Sequence, residues 1–102
     1  MIIVMTTVST ASEGETLAEA LVNAKLAACV QILPPMTSVY VCEGKRQKES
    51  EHLLLIKTLP GKYDALRELI VANHSYAIPE IVAIEADKVS GRYLSWIDET
   101  IG

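Results

Sequence analysis

Leu53-Leu54-Leu55-Ile56, inside the run from His52 to Thr58, puts large apolar side chains on four successive positions. A β-strand sends successive side chains to opposite faces, so such a run needs cover on both of them. Helices can cover one face. The other must be covered by a further layer, from this chain or from another subunit, and this requirement narrows the folds open to a chain of 102 residues.

The surrounding periodicities supply the partners. Ile2 to Val8 is apolar and β-branched, as expected of a strand buried over most of its surface. Ser12-x-x-Glu15 has the capping-box form, and Leu17, Ala20, Leu21, Ala24 and Ala28 follow helical spacing, so a helix is expected from about Gly14 to about Ala27. Cys29 to Leu33 reads as a strand that Pro34-Pro35 interrupts, because proline cannot donate to a ladder. Ser38 to Glu43 and His52 to Thr58 then read as the two strands of a long hairpin, with Gly44 to Glu49 as its turn. Pro60-Gly61-Lys62 opens a second helix, with Tyr63, Leu66, Leu69 and Ile70 on one face, ending near His74. Ile81 to Ala86 is a last strand, and Gly91 to Ile101 a short amphipathic helix. The order β-α-β-β-α-β-α predicts an α+β chain, a ferredoxin-like βαββαβ sandwich with both main helices on one face of an antiparallel sheet.

No linker-like stretch divides residues 1–102, which read as a single domain. Half of the residues are hydrophobic and only 5% aromatic. So much aliphatic surface in a small body, together with the uncovered sheet face, points to a homo-oligomer. The net charge of −4 argues against broad electrostatic binding to nucleic acid or an anionic membrane. No apolar run approaches membrane-spanning length, and Met1 to Met5 lacks the features of an export signal, so the chain is read as soluble and unexported. Cys29 and Cys42 form no Cys-x-x-Cys pair and no disulfide framework, which suits reduced thiols in the cytoplasm.

A ferredoxin-like frame assigns no activity by itself, so the side chains must. His74-Ser75-Tyr76-Ala77-Ile78-Pro79-Glu80-Ile81 gathers an imidazole, a phenol, a proline and a carboxylate between two apolar stretches. Ser75 beside His74 lacks a nucleophile elbow and is read as a loop residue, and no enzymatic activity is expected. An RNA-recognition surface would need aromatic residues on the central strands, and there are none in Ile2 to Val8 or Leu53 to Ile56. The scattered donors include Cys29, Cys42, His52, His74 and the carboxylates; thiolate with imidazole suits copper or zinc better than magnesium or calcium. Among them His74, at a helix end, Cys29, at a strand start, and Glu80, set by Pro79, are the candidate metal ligands. Each has a structural alternative: Cys29 as a small core residue, Glu80 paired with Lys57, and Tyr76 and Pro79 as packing and turn residues. His52 is read as a strand residue facing solvent.

These pieces, taken together, resemble the CutA1 divalent-ion tolerance family over nearly the whole chain. The matching segments are Leu26-Ala27-Ala28-Cys29-Val30, Ser38-Val39-Tyr40, Glu43-Gly44-Lys45, Leu53 to Thr58, His74 with Tyr76 and Pro79-Glu80-Ile81, and Tyr93-Leu94-Ser95-Trp96-Ile97. The resemblance implies a ferredoxin-like subunit in a tight homotrimer built through the long hairpin, in the bacterial cytoplasm. It further implies an association with copper and other divalent-metal tolerance, no required cofactor, and an architecture like that of trimeric PII signalling proteins. An intersubunit cleft carrying Cys29, His74, Tyr76 and Glu80 follows from the same resemblance. Two positions depart from the family pattern: Cys42 stands where tryptophan is usual, and Ser75 where proline is usual.

Overall fold

The computed structural model describes residues 1–102. Its elements are β1 (Ile2–Val8), α1 (Ala11–Asn23), β2 (Cys29–Ile32), β3 (Met36–Cys42), β4 (Lys45–Thr58), a single 3₁₀ turn at Pro60–Lys62, α2 (Tyr63–Asn73), β5 (Val82–Glu85) and α3 (Gly91–Ile101). The strands are ordered β2-β4-β1-β5, with β3 pairing farther along β4, and every pairing is antiparallel. This is the expected α+β, ferredoxin-like arrangement, with the second strand of the motif split by Pro34-Pro35 into β2 and β3.

Three boundaries differ from the sequence reading for local reasons. Helix α1 starts earlier because Thr10, not Ser12, is its N-cap: the Thr10 hydroxyl accepts the Glu13 N–H at 3.1 Å. It also ends earlier. Lys25 takes a left-handed conformation (φ 57°), and the Lys25 and Leu26 amides bond back to Val22 and Leu21, a Schellman-type stop usually built on glycine. The hairpin turn is tighter than expected, with only Glu43 and Gly44 between Cys42 and Lys45, both at positive φ. A two-residue turn of this kind matches the twist of the flanking strands. Lys45-Arg46-Gln47-Lys48 is therefore strand, and β4 is 14 residues long.

Ile2, Val4, Val8, Leu54 and Ile56 on the sheet bury against Leu17 and Leu21 of α1 and Leu66 and Ile70 of α2. Gly14 lets α1 approach closely, since a Cβ there would lie 3.2 Å from Val8 Cγ2 and 3.4 Å from Leu54 Cδ1. Registers of β1 with β4 and β5 place Ile3, Met5, Leu53, Leu55, Val82 and Ile84 on the opposite face. None of these six is fully buried, and Val82 and Ile84 are exposed. Leu53-Leu54-Leu55-Ile56 thus serves both faces as its pattern demands, with helices covering Leu54 and Ile56. A smaller core joins α3 through Ile97 and Ile101 to Ala28.

Candidate functional site

Side-chain chemistry concentrates where the loop leaving α2 crosses the end of β1. Helix α2 stops at Asn73, and His74 turns extended (φ −93°, ψ 142°), which carries its ring under the loop. The imidazole is fully enclosed, although its place at a helix end suggested exposure. Its Nε2–H donates to the Thr7 carbonyl at 2.7 Å, and its Nδ1 accepts the Tyr76 amide at 3.0 Å. These partners assign the tautomer, since a carbonyl can only accept and an amide N–H can only donate. The His74 and Tyr76 rings lie 4.7 Å apart, tilted by 51°.

Two carboxylates complete the cluster, neither of them singled out by the sequence. Glu13, in the first turn of α1, accepts the Ser75 hydroxyl at 3.0 Å on each oxygen, the Ser75 amide at 3.4 Å and the Ser9 hydroxyl at 3.3 Å, and stands 3.8 Å from His74 Nδ1. Proline at position 75 would have neither donor. Glu51 on β4 is buried and accepts the Tyr76 phenol at 2.8 Å. Burial, and then the bond to Glu51, push the Tyr76 phenol well above its ordinary ionisation range. The Thr10-x-x-Glu13 spacing was a local signal for Glu13; Glu51 had none.

The three candidate metal ligands do not converge within one chain. Cys29 lies half-buried on the outer face of the sheet, opposite Lys57. His74 is held at the Thr7 end of β1, level with Leu53. Leu53 and Lys57 are four residues apart on β4, about 14 Å at the antiparallel rise. Glu80 is exposed at the entry to β5, near the His74 end. Lys57, which had been expected as a partner for Glu80, donates instead to Gln31 Oε1 at 2.7 Å. No group of three His, Cys, Asp or Glu side chains in the chain is placed to hold a metal ion. His52 is half-buried rather than facing solvent, and its Nδ1–H donates to the Leu33 carbonyl at 2.9 Å, beside the Pro34-Pro35 break.

The chain has close counterparts of known structure. It superposes on a divalent cation tolerance protein (Cut A1) from Thermus thermophilus with a TM-score of 0.96, at 40% identity and with all of both chains covered. The same TM-score, at 36% identity, is found for a protein titled the periplasmic divalent cation tolerance protein CutA from Archaeoglobus fulgidus, again with both chains fully covered. By sequence it is 45% identical over 96 residues to the chloroplastic CutA of Arabidopsis thaliana, covering 94% of this chain and 53% of that protein. The chain thus spans about half the length of that plant relative. It spans 97% of the Thermus thermophilus protein. The family described as CutA1 divalent ion tolerance protein matches residues 2–100, and the chain belongs to that family.

Proposed function

We propose that this protein serves divalent-cation tolerance as a homotrimer, without enzymatic turnover, and binds Cu(II) or a related ion in a cleft between subunits. Kinship with proteins named for divalent-cation tolerance supports the role. The observation that carries the assembly is unspent surface. The chain exposes 6394 Å², whereas a compact monomer of 11.1 kDa exposes about 5,700 Å². Its radius of gyration of 14.2 Å likewise exceeds the roughly 12.8 Å of a compact chain of this length. The excess goes with the apolar outer face and with the β3–β4 arm, where Val39 and Val41 are 62% and 72% exposed. A two-stranded arm is marginal alone, so contact with a second copy explains its length.

In this reading Cys29, His74 and Glu80 act as ligands contributed by different copies, which accounts for their separation within one. The cytoplasm is the proposed compartment, in keeping with two free thiols. Light scattering tests the assembly: about 33 kDa, three times the chain mass, is expected, and 11 kDa overturns it. Titration of Cu(II) into the trimer tests the site. Saturable binding at micromolar concentration, weakened in Cys29→Ser and Glu80→Gln, is expected; equal binding by both variants removes those ligands.

The state of His74 favours a second reading. Both ring nitrogens are already engaged, so a metal must break one of those bonds to use the ring. A PII-like trimer that signals by binding a small ligand or a protein partner needs no such cost. No Cu(II) binding by an intact trimer selects it.

A further inference from the structure

A groove of about 350 Å³ runs where the first turns of α1 meet the C-terminal end of α2, its walls including Thr10, Glu13, Thr16 and Asn73 over Leu17 and Ala20. Glu13, Thr16, Leu17 and Ala20 recur at helical spacing on one face of α1, and the short side chains at 16 and 20 leave the space open. The volume falls at the lower end of the range for small-ligand sites.

Its chemistry is one-sided. Glu13 brings a carboxylate, and no lysine, arginine or histidine lines the groove. That carboxylate is hydrogen-bonded by Ser9 and Ser75, but no lysine or arginine neutralises it. One N–H of the Asn73 amide donates to the Leu69 carbonyl at 2.8 Å, which leaves its oxygen as an acceptor and its second N–H as a donor. One carboxylate with neutral oxygens falls short of the six to eight ligands a calcium ion takes.

We propose that this groove binds a small aliphatic amine, with its ammonium on Glu13, its methylenes over Leu17 and Ala20, and a second polar end on Asn73 and Thr16. Because Ser75 holds the same Glu13 carboxylate, the bound amine competes with the loop leaving α2 and so reports to it. The groove stands apart from Cys29 and Glu80, while Glu13 lies 3.8 Å from His74 Nδ1; the test below is therefore run without metal, and Cys29→Ser and Glu80→Gln, which decide the Cu(II) site, leave the groove lining intact.

The test follows backbone amide resonances of the isotope-labelled full chain as 1,4-diaminobutane is added at constant ionic strength. Saturable shifts are expected at Glu13, Thr16, Ala20, Asn73 and Ser75, with half-saturation in the roughly millimolar range that so few ligand atoms allow. Glu13→Gln removes the charge, and Ala20→Leu fills the floor while leaving the charge; both should abolish the shifts. If Glu13→Gln unfolds, Ala20→Leu still decides. Equal shifts with 1,4-butanediol or with Mg²⁺, shifts retained in Ala20→Leu, or no saturable shift with the diamine overturns the proposal.

Discussion

The Tyr76 hydroxyl donates to the buried carboxylate of Glu51 at 2.8 Å, and this single bond ties the loop leaving α2 to the middle of the longest strand. It joins residues 25 apart in sequence, one on a loop and one on the sheet. Its removal should therefore be felt by the whole domain rather than by the loop alone.

Tyr76→Phe leaves Glu51 in place without its donor. A hydrogen bond to a charged, buried acceptor contributes about 1.5–3 kcal/mol, so a loss of that size is expected in urea unfolding at fixed protein concentration. Glu51→Gln keeps an acceptor for the phenol and should cost less. A Tyr76→Phe variant as stable as the parent would show that the bond contributes nothing net.

The same bond sets a pH limit. An unfolded tyrosine loses its proton near pH 10, about its ordinary value. In the fold, burial first and Glu51 second keep the proton on to higher pH. Above about pH 10 the unfolded state thus binds fewer protons than the folded state, and stability falls as pH rises. Below that pH this contribution is complete and flat. Unfolding midpoints measured from pH 8 to 11.5 should decline above 10 in the parent, and less steeply in Tyr76→Phe.

Thr6 offers a gain. Its side chain is fully buried on the helix-facing side of β1, and its hydroxyl has no hydrogen-bond partner. Valine has nearly the same shape without the polar atom, so Thr6→Val should stabilise the domain by about 1 kcal/mol. Thermal unfolding of the two proteins at equal concentration reads the difference; a lower midpoint for the valine variant would mean the hydroxyl is satisfied.

Lys25 offers another. At φ 57° it occupies the left-handed position that ends α1, where a side chain with a Cβ is strained. Lys25→Gly should stabilise by about 0.5–1 kcal/mol, the relief outweighing the extra freedom glycine gives the unfolded chain. Lys25→Val, with its branched Cβ, should do the opposite, and the pair of midpoints brackets the effect.

Much of the fold was legible because it rests on repeating local patterns. Ile2 to Val8, Leu53 to Ile56 and the 3.6-residue spacing of α1 and α2 each announce an element and the face it buries. The errors lie where a local signal has a near neighbour of the same form: Ser12-x-x-Glu15 reads as the cap, whereas the structure caps α1 with Thr10, which has Glu13 at the same spacing. Likewise Gly44 to Glu49 is polar enough for a loop, yet Gly44 at positive φ needs only Glu43 beside it to reverse the chain. Within the candidate site, His74, Tyr76 and Glu80 stood out as a dense run, but what each does was hidden.

The sequence by itself determined the order of elements, their antiparallel ferredoxin-like sandwich, the apolar second face and membership of the CutA1 family, because each follows from periodicity or from motifs contiguous in the chain. Tertiary structure alone decided that His74 is enclosed and bonded on both nitrogens, that Glu13 holds Ser75, and that Cys29 stands far from His74. These pairings join residues up to 67 apart in sequence. Their partners are chosen by how helices cross the sheet, and that geometry leaves no trace in the local spacing of either partner.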